Sequence, residues 1–72
     1  MTMEKKNKEL LKLAKLLKHW ADHNDSHKES LFKWKEIAKE NGLENIVVHI
    51  EKAIEMLDES SKYLLKAQEE LI

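Results

Sequence analysis

The chain runs for 72 residues without a proline and with a single glycine, Gly42. That combination narrows the choice of fold more than any other feature. A β-protein of this length needs tight turns, and turns draw on glycine and proline, so the chain reads as all-α. Gly42 follows Asn41 and precedes an apolar run. Glycine adopts the left-handed backbone that closes a helix C-terminus, so the clearest helix stop lies there.

Apolar residues make up 42% of the chain and charged residues 38%, which suits helices with one buried stripe and a charged outer face. Leu10, Leu13, Ala14, Leu16, Leu17, Trp20 and Ala21 fall on one side of a helix expected over 3–23. Asn24-Asp25-Ser26 is a poor helix interior, and Ser26 with Glu29 matches a capping box. A second helix is therefore expected from Ser26 to Asn41, burying Leu31, Trp34, Ile37 and Ala38. A third, over 43–71, carries the stripe Leu43, Ile46, Val47, Ile50, Ile54, Leu57, Ser61, Leu64, Gln68 and Leu71. Its end, with Leu64, Leu65, Leu71 and Ile72, is expected to overhang the other two and to present an apolar surface to a partner.

These elements make a three-helix bundle, one domain over residues 1–72. An alternative stays open. Leu10, Leu13, Leu17, Trp20, Asn24, His27, Leu31, Trp34 and Ala38 are spaced three and four apart throughout. That spacing supports one continuous helix, hence a long helical hairpin, two of which pair into a four-helix bundle. Trp20 and Trp34 are core residues on either reading. A core from so short a chain supplies only about 3–5 kcal/mol without a staple. With no cysteine for a disulfide, a metal ion or a second copy is the remaining candidate.

Charge excludes some partners. Net charge is −1, and every basic residue is lysine. Base readout and bidentate phosphate contacts rely on arginine, so no nucleic-acid partner is expected. Residues 1–18 hold six lysines against Glu4 and Glu9, and residues 51–72 hold six acids against Lys52, Lys62 and Lys66. This asymmetry fits either antiparallel pairing of two chains, giving a homo-oligomer, or plain solvated faces. Lys12 and Lys15 interrupt the Leu10–Leu17 run, which is neither a signal sequence nor a membrane span. The expected location is cytoplasmic, with no membrane partner.

The chemistry concentrates in His19-Trp20-Ala21-Asp22-His23-Asn24-Asp25-Ser26-His27, with His49 further on. Histidines four apart share a helix face and can chelate one ion. In an up-down-up bundle the third helix runs parallel to the first, which brings His49 to roughly 6 Å along the axis from His19. His19, His23, His27 and His49 are the candidate metal ligands. Asp22, Asp25 and Glu29 are available to complete or orient the site. Imidazole without thiolate suits zinc, nickel or copper. The expected function is non-enzymatic binding of such an ion for storage, delivery or sensing, and the alternative is a metal-free module for helical interaction or self-association. No nucleophile is paired with a base, no phosphate-binding loop is present, and the Glu of a His-Glu-x-x-His protease motif is missing.

The pattern His-Trp-x-x-His-Asn-x-x-His, followed by a helix with Trp34 and by Met56-Leu57-Asp58-Glu59, resembles a small uncharacterised helical family of anaerobic prokaryotes over residues 16–71. The resemblance implies that His19, Trp20, His23, Asn24 and His27 form a shared signature. It implies no activity. Lys18 stands where relatives are expected to carry proline.

Overall fold

The computed structural model describes the backbone of residues 2–71 and the side chains of residues 7–71. Two antiparallel helices, α1 (Thr2–Glu40) and α2 (Glu44–Leu71), are joined by a turn at 41–43. They form a hairpin measuring 61 × 15 × 13 Å. No strand occurs among the described residues, and no described helix is long and apolar enough to cross a membrane. The three-helix bundle is thus corrected to the hairpin. The side chains of Met1, Met3, Glu4, Lys5, Lys6 and Ile72 lie outside the described residues.

The expected break at Asn24-Asp25-Ser26 does not occur. These residues lower helix propensity only modestly compared with proline or glycine. Asn24 also gains a partner on the other helix, its Nδ2 donating to Ser60 Oγ at 3.2 Å. A capping box serves N–H groups that have no intrahelical acceptor. In an uninterrupted helix those groups are already bonded, so the Ser26–Glu29 pairing has nothing to cap.

The interhelical seam follows a strict three–four spacing on both sides. α1 contributes Ala14, Leu17, Ala21, Asn24, Lys28, Leu31, Lys35 and Ala38, all buried or half-buried. α2 contributes Val47, Ile50, Ile54, Leu57, Ser61, Leu64, Gln68 and Leu71, likewise. Small and polar positions meet across it, the Ala21 carbonyl accepting from Ser61 Oγ at 3.4 Å. The column Leu13, Trp20, His27 and Trp34 is one position round from the seam, and Trp20 (44% exposed) and Trp34 (56%) are not core residues. Ala14 and Ala21 instead bring the α1 backbone within hydrogen-bond reach of Gln68 and Ser61 on α2, an approach that an indole at those positions would block.

The expected overhang is also absent. Leu64 and Leu71 are half-buried against α1, and Gln68 Nε2 donates to the Ala14 carbonyl at 3.0 Å. Glu69 and Glu70 of α2 therefore lie at the same end of the hairpin as Lys12 and Lys15 of α1.

The turn closes as the sequence predicts. Gly42 has φ +69°. Leu43 N–H donates to Ala38 O at 3.0 Å and Gly42 N–H to Lys39 O at 3.1 Å, the paired bonds of a glycine-capped helix end. A methyl group at Gly42 would meet nothing within 4 Å, so replacement costs backbone strain alone. Gly42→Ala is expected to destabilise the fold by about 1 kcal/mol, a drop of roughly 5 °C in melting temperature, with Gly42→Asn losing less. Thermal melts by circular dichroism check both.

Candidate functional site

The two long faces of the hairpin differ in chemistry. On one, charges bridge the helices: Lys28 pairs with Asp58 and, at 3.8 Å, with Asp25, and Lys35 lies 4.0 Å from Glu51. Lys28 and Lys35 occupy seam positions and reach sideways, laying their stems over the core and their ammonium groups at its edge. A hydrogen bond from Lys28 to Asp58, with the charges of Asp58 and Asp25, raises the Lys28 ammonium above the ordinary lysine value against an opposing desolvation.

The other face is apolar. On α1, Leu13, Leu16, Trp20, His23, His27, Ser30, Trp34 and Ile37 form a second stripe, again spaced three and four apart. On α2 the equivalent stripe is Ile46, His49, Ala53, Met56, Ser60, Tyr63, Ala67 and Glu70. Both stripes border the same side of the seam. A groove of about 450 Å³ between them is lined by His27, Ser30, Leu31, Ala53, Met56 and Leu57. Another, nearer the turn, is lined by residues that include Trp34, Ile37, Ile46 and Ile50. Trp20, Trp34, Ile46, Met56 and Tyr63 are between 44% and 61% exposed.

The histidine run lies within and beside this face. His23 and His27 meet edge to face, with ring centroids 4.4 Å apart and their Nε2 atoms 2.9 Å apart. In the metal-free chain one Nε2 donates and the other accepts. Two nitrogens sharing one ion at about 2.05 Å stand ~2.9 Å apart at a right angle and ~3.3 Å apart at a tetrahedral one, so the pair is already close to chelating geometry. His19 stacks on His23 at a centroid distance of 6.2 Å but sits one position further round the helix, outside the apolar stripe.

His49 does not join them. The Asn24–Ser60 and Lys35–Glu51 contacts set it level with residues 35–37, at least eight residues beyond His27 and roughly 12 Å or more along the axis. Its expected approach to His19 required a third helix parallel to the first, which the hairpin lacks. Asp22 is engaged by Lys18 at 3.4 Å and Asp25 by Lys28. Among the described residues, no three His, Asp or Glu side chains converge to hold an ion. A single chain therefore offers two imidazoles, His23 and His27, out of the four expected.

Ser30 and Met56, which line the groove, carried no functional weight in the sequence. The signal that locates them is the second three–four stripe, visible once a different column has been assigned to the seam.

Comparison with protein-family models gives a match over residues 13–71 to a family described as "Domain of unknown function (DUF8180)". No curated protein and no solved structure shows significant similarity.

The Lys28 shift sets a pH test on the polar face. A raised value means the pair stabilises the fold below the ordinary lysine range, a contribution lost as pH climbs through the folded-state value. Lys28→Leu puts an apolar side chain at a seam position. The variant is expected to melt higher than the parent at neutral pH and to lose less stability between neutral and strongly alkaline pH, as measured by thermal melts across that range.

Proposed function

The chain belongs to the DUF8180 family, and because that membership brings no activity with it, we propose from the geometry that the protein is a non-enzymatic helical module that pairs with a second copy of itself, apolar face to apolar face. The observation that carries this reading is the second stripe, present on the same side of both helices and left without a partner. Among the described residues only Leu17, Ala21, Ala38 and Ile54 are buried, a small core for a chain of this length. Half-exposed residues on the one face, at on the order of 100 Å² each, amount to roughly 600 Å² of apolar surface. That is near the upper end for a soluble monomer and approaches the ~800 Å² per partner of a stable interface.

The stripes also match themselves when run antiparallel. If the two copies are related by a twofold axis at residue 25 of α1, Leu13 falls opposite Ile37 of the second copy, Leu16 opposite Trp34, and Trp20 opposite Ser30. The same axis, level with residue 58 of α2, sets Tyr63 opposite Ala53 and Met56 opposite Ser60. Trp20, Tyr63 and Met56 thus face small residues, while Leu13 and Leu16 face other large apolar ones. The groove at Ser30 and Ala53 is where Trp20 and Tyr63 of the second copy insert. On the flank, Lys12 comes opposite Glu40. The product is an antiparallel four-helix bundle, the arrangement in which helices with two apolar stripes bury both.

Such a module works by presenting a rigid paired scaffold in an aqueous compartment, for which the sequence favours the cytoplasm. Sedimentation equilibrium at micromolar concentration is expected to return twice the chain mass of 8.5 kDa. Trp34→Glu with Met56→Glu is expected to halve it. Leu11→Glu with Phe32→Glu, on the opposite side of α1, is expected to leave it unchanged. Spin labels at Asn45→Cys should lie roughly 40 Å apart along the bundle if the copies are antiparallel and far closer if they are parallel. A monomeric parent chain would end this reading.

A further inference from the structure

We propose that pairing completes a divalent transition-metal site built from four imidazoles, those of His23 and His27 in each of two copies. The inference rests on the self-association reading and adds a ligand to it. Within one chain the two Nε2 atoms stand 2.9 Å apart, close to the separation they need around one ion. Two ligands, however, are half of a closed four-coordinate site, and no third His, Asp or Glu converges on them among the described residues. The missing half lies in the symmetry of the stripe. Under the twofold axis that sets Trp20 against Ser30, His23 falls opposite His27 of the second copy, and His27 opposite its His23. The two pairs meet on the axis, at the middle of the interface.

The surroundings suit an ion there. His27 lines the apolar groove, and Trp20 lies one turn from His23 on the same stripe, so pairing covers the site with indole and methionine side chains and shields it from water. Imidazole donors without thiolate or carboxylate suit zinc, nickel, copper or cobalt rather than magnesium or calcium. His19 lies on the flank column beside Lys33 of the second copy, and His49 lies opposite Ala67, so neither is a ligand. An ion that binds only the paired state also tightens the pair by mass action.

The test is titration of the full chain with cobalt(II) chloride, read by visible absorption and tryptophan quenching and run in parallel with sedimentation. The expected result is saturation at one cobalt per two chains, with the intense visible bands of tetrahedral coordination. His23→Ala and His27→Ala should each weaken binding at least ~100-fold, since either removes two of the four ligands, compared at concentrations where sedimentation without metal shows each variant paired. His19→Ala and His49→Ala should bind as the parent does. Circular dichroism of each variant confirms that the helices remain. Saturation at one ion per chain, or undiminished binding by His23→Ala, overturns the site. A dimer that ignores cobalt overturns the site and leaves self-association standing. A chain that stays monomeric with and without cobalt overturns both.

Discussion

The structure depends on how closely α1 can approach α2. Ala14 and Ala21 bring the α1 backbone within hydrogen-bond reach of Gln68 and Ser61 on α2. Close approach has a second effect. It excludes the bulky column of α1 from the seam and turns Leu13, Trp20, His27 and Trp34 to the flank. The placement of the indoles, the exposure of the histidine pair and the apolar face all follow from that choice of column. Had Trp20 and Trp34 entered the seam, His27 would have entered with them, because position 27 is in register with 20 and 34.

Polar groups in the seam give up burial and fix the register. Asn24 bonds Ser60, Lys28 pairs with Asp58, Lys35 approaches Glu51, and Gln68 reaches the Ala14 carbonyl. Exposed ion pairs add little net stability. A wrong alignment, however, would leave lysines and an asparagine against leucine, and burying them unpaired is costly. A one-heptad slip would separate these partners while keeping apolar groups in apolar positions, so the polar pairs discriminate where the leucines and alanines cannot. The same contacts hold the two flanking stripes level with each other, which the apolar face requires.

Much of this was legible in the sequence. The all-helical class followed from missing turn residues, and Gly42 marked the turn because the chain's one glycine takes the left-handed backbone most readily. The hairpin was visible in the unbroken three–four spacing, but the propensities of Asn24, Asp25 and Ser26 argued for a break. Local propensity lost there because one continuous helix keeps the entire seam in register with α2, whereas a break would sacrifice about half of it. Choosing the seam column was harder. Leu17, Asn24, Leu31 and Ala38 belong to both candidate columns, and hydrophobicity favours the one with the tryptophans. Only the close approach of α2 to Ala14 and Ala21 decides against it, and that is a relation between two segments rather than a property of either. The position of His49 was misread for the same reason, since its neighbours depend on the number of helices that precede it.

The histidines illustrate how a polar group can occupy an otherwise apolar stripe. His23, His27 and Ser30 interrupt the α1 flank between Trp20 and Trp34. On a solvated surface such residues would need no explanation, but the tryptophans on either side mark the stripe as one built for burial. Burying imidazoles is unfavourable unless each nitrogen finds a partner. Within one chain the two rings satisfy one nitrogen each, Nε2 against Nε2, and that arrangement sets their spacing near the bite of an ion. In a purely structural seam, apolar residues at 23 and 27 would pack better and raise no satisfaction problem. In the proposed pair, their place at the centre of the stripe is the level at which the twofold axis would set each against the other's copy, and there four rings rather than two would come together.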